Sequence, residues 1–302
     1  MTRENLSYFD KLYSNVSPDL RIKFKEFRVK NPYKKIEIDD VIWSYISCGK
    51  GKKSILFLTG GSSVGDGWAF HIIAFENDYR CISVDYPAVS DIRSLIKGIV
   101  DILNAEGIDK VHIIGQSFGG IIGPCFAYHY PEKVDKMVLS HTIANLESSD
   151  QIERERNIKK TERNTKIIRL IPKWIFYRVA LRRMNKHFMN LDNKNSEFLK
   201  AFFTETIKYR TTKKQVIATS LIMIDYMRNY ILSAEDFDNW TGKVFILESE
   251  SDQAIKTEEK QPLKSLFKNV KVHTFKGEGT SHLSLFNKRE EFISLVKEFF
   301  HS

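Results

Sequence analysis

Val111-His112-Ile113-Ile114-Gly115-Gln116-Ser117-Phe118-Gly119-Gly120 is the stretch on which the reading of this chain turns. Four residues of strand character run into a G-x-S-x-G pentapeptide, and an apolar helical pattern begins directly after it. A serine on so sharp a strand-to-helix turn needs small residues on both sides so that the chain can double back. The turn lifts the Ser117 hydroxyl above the sheet edge, beside a helix N-terminus that favours developing negative charge. On its own the pentapeptide is a weak signal. Between a strand and a helix it designates Ser117 as a nucleophile.

Outward from this turn the chain alternates strands and helices. Strands are predicted over residues 35–38 and 42–47, joined by Asp39-Asp40, and then over 54–58, 80–84, 111–114, 136–139, 244–247 and 270–275. Helices are predicted as one short opening helix, then over 92–105 with Asp91 as N-cap, 121–130, 257–267 and 287–300. Fully apolar strands between helices indicate an α/β fold, a mostly parallel central sheet with helices on both faces. Residues 143–240 break the rhythm. They are almost free of strand signals and read as a helical cap inserted into a core formed by 1–142 and 241–302. Such a cap would sit over the C-terminal sheet edge, where open α/β sheets bind ligands.

A serine nucleophile requires amide donors aimed at the oxyanion. The amide after the nucleophile belongs to Phe118. The second donor is expected from the loop Thr59-Gly60-Gly61-Ser62-Ser63, with Gly61 the candidate and the Thr59 and Ser62 hydroxyls as further donors. The acid and the base are expected in the order acid, then histidine. After the strand at 244–247 the chain reads Glu248-Ser249-Glu250-Ser251-Asp252-Gln253. Asp252 is preferred because it lies a few residues past the strand and precedes a helix; Glu248 and Glu250 remain alternatives. His282 follows the last strand in the loop Gly277-Glu278-Gly279-Thr280-Ser281 and is the expected base. Of the other histidines, His141 is placed to line the pocket and His71 to lie near the oxyanion loop. His112 and His273 fall inside strands, and His129, His187 and His301 fall on helix surfaces. No histidine pair has metal-ligand spacing, so no metal and no cofactor are predicted.

Composition narrows the classes. The chain has 302 residues, 42% apolar and 12% aromatic, as expected of a folded globular protein. The formal charge is +9, with Lys and Arg spread along the chain among acids, which does not suggest nucleic acid. The exception is the stretch 159–186, strongly basic with apolar residues between, which allows weak contact with acidic lipid surfaces. Cys48, Cys81 and Cys125 lack CxxC spacing and read as reduced thiols. With a polar N-terminus and no apolar run of membrane-spanning length, the expected setting is cytoplasmic. The aromatics Trp174, Phe176, Tyr177, Phe188, Phe202 and Tyr226, at helical spacing in 143–240, read more readily as core than as pocket.

The chain resembles the α/β-hydrolase superfamily on Gly60-Gly61, the sequence Gly115 to Gly120, Asp252 and His282. Within it the chain is similar to the maspardin-type branch through Val41-Ile42-Trp43-Ser44, Tyr86-Pro87, Asp109-Lys110-Val111-His112 and Asp252-Gln253, and through Ala88-Val89-Ser90 where many hydrolases carry a glycine pair. Ser281 stands where many relatives have glycine before the histidine. The resemblance implies a Ser-His-Asp hydrolase acting on a small-molecule ester, lactone, amide or carbon–carbon bond through an acyl-enzyme. The maspardin branch implies the alternative of a non-catalytic adaptor on the same fold. Neither substrate nor oligomeric state is legible.

Overall fold

The computed structural model describes residues 3–146, 150–187 and 193–302. The chain opens with two helices rather than one, α1 (Arg3–Leu12) and α2 (Pro18–Lys30), separated by a turn over residues 13–16 and the N-cap Ser17. The first strands are β1 (Lys34–Ile38), β2 (Val41–Cys48) and β3 (Lys53–Leu58). They are followed by α3 (Ala69–Phe75), β4 (Tyr79–Asp85), α4 (Ile92–Ala105), β5 (Val111–Gln116), α5 (Phe118–His129) and β6 (Val134–Ser140). Four helices come next: α6 (Gln151–Leu170), α7 (Lys173–His187), α8 (Asn193–Glu205) and α9 (Lys213–Asn229). A π-helical turn, Thr206–Arg210, follows α8. The chain ends with β7 (Lys243–Ser249), α10 (Thr257–Ser265), β8 (Val270–Phe275), α11 (Ser284–Asn287) and α12 (Arg289–His301).

The eight strands form one sheet in the order β1-β2-β4-β3-β5-β6-β7-β8. The β1–β2 and β2–β4 pairs are antiparallel and the remaining pairs are parallel. Asp39 and Asp40 close the first hairpin, both at positive φ, +50° and +60°. A two-residue hairpin turn of matching twist needs that geometry, and aspartate tolerates it better than most residues. All six residues of β5 are buried, as a central parallel strand covered on both faces must be. Asp91 caps α4 by accepting from the Ser94 amide at 2.7 Å.

Two apolar clusters sandwich the sheet. One joins Trp43, Ile113 and Met137 to Ile96 and Ile99 of α4 and Phe126 of α5. The other joins Ile55, Phe57 and Phe245 to Phe24 of α2, Phe75 of α3 and Phe292 and Phe299 of α12. Each large side chain taken wholly from water contributes about 1.5–3 kcal/mol, and these two clusters hold the helices on both faces of the sheet. The parallel strands β3, β5, β6 and β7 all end at one edge, and the loops beyond that edge carry Gly61, Ser117, His141 and Asp252.

Among the described residues, 143–240 contain four long helices and no named strand. The aromatics singled out there divide four ways, with Tyr177 half-buried. Phe176, Phe202 and Tyr226 are buried. Trp174, in the first turn of α7 after the Ile171-Pro172 corner, is 65% exposed, against the expectation of a core position. Phe188 lies outside the described residues. His129, on α5, is half-buried with its Nε2 2.8 Å from the Tyr230 hydroxyl.

Candidate active site

Ser117 has φ +52° and ψ −114°, a strained conformation for a residue with a side chain. Four hydrogen bonds hold it there. Its amide donates to Ser140 O at 2.9 Å, while its carbonyl accepts from the amides of Gly120 and Ile121 and from the Thr142 hydroxyl at 2.7 Å. The glycines have a steric reason. A Cβ on Gly119 would stand 2.1 Å from Leu58 O and 2.7 Å from Thr59 O; one on Gly115 would stand 2.5 Å from Gly119 O. The elbow closes only because backbone can touch backbone at both positions.

Gly61 and Phe118 line the same cavity as Ser117. Neither amide has a hydrogen-bond partner among the described residues. Phe118 also begins α5, so its N–H lies at the positive end of that helix.

His282 and Asp252 come together. The imidazole Nδ1 lies 3.0 Å from one Asp252 carboxylate oxygen and 3.2 Å from the other. The Asp252 side chain is 1% exposed, and its Oδ1 also accepts from the amides of Ala254 and Ile255. Burial pushes the Asp252 carboxyl up, but the His282 hydrogen bond and charge and the Ala254 amide outweigh it, holding the group below the usual carboxylate range. The two rival acids are elsewhere. Glu248 accepts from Lys264 at 3.0 Å and from Thr274, while Glu250 is exposed, and neither bonds His282.

Ser117 and His282 share two adjoining cavities, although no direct hydrogen bond joins them. The first, of about 460 Å³, is walled by Thr142, Ile143 and the α9 face carrying Gln215, Thr219 and Met223. The second, of about 310 Å³, is walled by Trp68, Phe202, Phe203 and Phe286. Among the described residues no group of His, Cys, Asp and Glu is arranged to hold a metal ion.

His141 lines the first cavity, as its position after β6 predicted. What the sequence did not reveal is the hydroxyl network it belongs to. Its Nδ1 is 2.8 Å from Ser140 Oγ and its Nε2 is 2.7 Å from Ser249 Oγ, which in turn is 2.6 Å from Ser284 Oγ. Ser284 also accepts from the Ser281 amide, the residue before His282. Burial, then the neighbouring His282, lowers the His141 pKa to about 3, so it is neutral. No sequence motif signals this network, since Ser249 lies 108 residues from His141. His71, expected near the oxyanion loop, is a core residue of α3. It is fully buried, packed edge-on against Trp68, with Nε2 3.1 Å from Leu285 O.

A sequence profile described as "alpha/beta hydrolase fold" matches residues 53–288. The chain belongs to that family. Among curated relatives of this alpha/beta hydrolase, a 2-hydroxy-6-oxononadienedioate/2-hydroxy-6-oxononatrienedioate hydrolase of Paraburkholderia phymatum is 36% identical over 112 residues, 32% of this chain and 38% of that protein. Maspardin of Rattus norvegicus is 31% identical over 138 residues, 43% of this chain and 51% of that protein. These matches thus span about half the relatives' length or less. Among solved structures, a meta-cleavage product hydrolase of Pseudomonas fluorescens superposes with a TM-score of 0.66 at 20% identity, covering 89% of this chain and 97% of that one. The fold is shared with hydrolases, and part of the chain is similar in sequence to both hydrolases and maspardin.

Proposed function

We propose that this alpha/beta hydrolase is a serine hydrolase that cleaves a carboxylic ester or related acyl bond. The observation that carries the reading is the 3.0 Å contact between His282 Nδ1 and the buried Asp252 carboxylate, with the same imidazole facing the cavity of Ser117. A carboxylate on Nδ1 fixes the tautomer that leaves Nε2 free to accept a proton, and it stabilises the imidazolium that forms.

In this mechanism Ser117 Oγ attacks the substrate carbonyl carbon while its proton passes to His282 Nε2. The amides of Gly61 and Phe118 hold the resulting oxyanion. The bond to the alkoxy group breaks, and that group leaves with the proton from His282. Water then gives a proton to His282 and attacks the acyl group, releasing the acid and restoring Ser117. In this reading α6 to α9 act as a cap that closes the cavities from above, with Gln215 and Thr219 of α9 over the nucleophile.

The similarity to maspardin supports a second reading, an adaptor that binds without turnover. The intact Asp252–His282 pair favours catalysis, since a binding surface has no need of a buried carboxylate on that imidazole. The test is p-nitrophenyl ester turnover by the wild type and by Ser117→Ala at equal stability. Loss of about a thousandfold or more is expected for the variant. Equal turnover by both would overturn the proposal.

A further inference from the structure

Residues 163–191 contain eight Lys and Arg and no Asp or Glu, so this one segment carries eight of the chain's nine net positive charges. It spans the end of α6, the Ile171-Pro172 corner and α7. Arg163, Lys166, Arg169, Lys173, Arg178 and Arg182 are all exposed, and none forms an ion pair with a described residue. The corner between the two helices presents large apolar side chains to solvent. Leu170 is 86% exposed, Trp174 65% and Ile167 48%. An aliphatic and an indole left in water, ringed by cations, is the composition of an element that lies in a lipid headgroup layer.

A cavity starts from the inner side of the same hairpin. It measures about 410 Å³ and is walled by Ile168, Ile171, Phe176, Val179 and Ile207, with no charged side chain among its described lining. Gly61 and Ser62 also line it, and both wall the two cavities of Ser117 as well. The apolar cavity under the hairpin therefore adjoins the cavities of Ser117 through shared walls.

We infer that the α6–α7 hairpin docks on an anionic lipid bilayer, and that the site takes a long-chain acyl ester of a lipid from that surface, its chain lying in the apolar cavity under the hairpin. The substrate half rests on the hydrolase reading above; the docking half does not. Charge complementarity selects the occupant. A second copy of this chain would bring two cationic faces together, and a nucleic acid would leave Leu170 and Trp174 without apolar partners. Headgroup anions match the guanidinium and ammonium groups, while the acyl boundary takes Leu170 and Trp174. Ser117 Oγ would attack the ester carbonyl, the glycerol oxygen would leave with the proton from His282, and water would release the fatty acid from Ser117.

The full chain is sedimented with phosphatidylcholine vesicles and with vesicles containing about one-third phosphatidylserine. Binding to the anionic vesicles is expected to be at least about tenfold tighter and to weaken with added salt. Leu170→Ser/Trp174→Ser and Lys166→Glu/Arg169→Glu/Lys173→Glu, all at exposed positions, should each reduce it by about tenfold or more. The first variant should also lose turnover of dioleoylglycerol presented in those vesicles while keeping turnover of soluble p-nitrophenyl acetate. Absence of anionic preference, or binding that neither variant changes, overturns the docking. So does an RNA oligonucleotide that binds as tightly as the vesicles and is insensitive to Leu170→Ser/Trp174→Ser, or a dimer that this variant dissociates. Vesicle binding by a protein that hydrolyses p-nitrophenyl acetate but not dioleoylglycerol overturns the substrate half. Vesicle binding without turnover of any ester removes the hydrolase reading and leaves the docking standing.

Discussion

The imidazole rings of His141 and His282 stand 6.0 Å apart, centre to centre, at an interplanar angle of 81°. His141 is the buried member, held at φ +48° by the hydrogen bond its amide donates to Leu247 O and by hydroxyls on both ring nitrogens. A residue kept in the left-handed region while so completely bonded positions what lies against it. His141→Ala is expected to lower kcat about tenfold with little change in KM, because it loosens the loop that aims His282. His141→Gln, which keeps a polar partner for Ser249, should restore part of that loss. A rise in KM with kcat unchanged would contradict a positioning role.

A second buried network ties the opening helices to the helical segment between β6 and β7. Asp66, 2% exposed, accepts from Arg28 Nε at 2.8 Å and from Arg210 at 2.6 Å, and Arg28 also forms a two-point pair with Glu205 at 2.9 and 3.0 Å. Burial alone would raise the Asp66 pKa, but the two guanidiniums outweigh it and hold it low. Asp66→Ala leaves both cations facing a vacated carboxylate site and should destabilise the fold by about 3–5 kcal/mol, read by urea denaturation. A change under about 1 kcal/mol would show that the network is dispensable.

Gly119→Ala should be among the more damaging single-methyl changes in the chain. The added carbon meets two backbone carbonyls, Leu58 and Thr59, and neither can rotate away as a side chain could. A loss near the upper end of the usual 1–3 kcal/mol, about 3 kcal/mol, is expected together with loss of ester turnover. Denaturation and turnover measured on the same sample check both.

Acid should destabilise this protein from about pH 6.5 downward. Burial is the leading cause that lowers the histidine pKa to about 3 at His71, about 4 at His112 and about 3 at His141, from an ordinary 6.5. Above pH 6.5 these groups are neutral in both folded and unfolded chains and add no pH dependence. Below it the unfolded chain binds protons that the folded chain refuses, so stability falls as pH falls toward the folded values. Each such histidine contributes a slope of about 1.4 kcal/mol per pH unit across that window. His71→Leu, which suits the ring's contacts with Trp68 and Phe292, should flatten the stability profile between pH 6.5 and 4.5 by about one histidine. An unchanged profile would contradict it.

The sheet was legible because its strands are short apolar runs bounded by glycines, prolines and aspartates, and the structure extends most of them by only a residue or two. The elbow was legible because a backbone contact as close as that of Gly119 with Leu58 leaves a glycine in the sequence. The second opening helix and α3 escaped notice. α2 alternates charge and apolar residues without a clean stripe, and α3 is seven residues long and almost wholly buried. The choice among Glu248, Glu250 and Asp252 depends on how one loop folds, which spacing alone does not encode. Networks such as Arg28–Glu205, 177 residues apart, leave no local pattern at all. The exposure of Trp174 depends on the direction of one helix after Pro172, whereas its composition alone suited a core position.

Mass spectrometry of the protein after a fluorophosphonate probe tests the central claim most directly. The account predicts one adduct, on the peptide carrying Ser117, that is absent in Ser117→Ala and forms at least about a hundredfold more slowly in His282→Ala and in Asp252→Asn. A wild-type chain that is not labelled at Ser117, or is labelled there equally fast without His282, would contradict it.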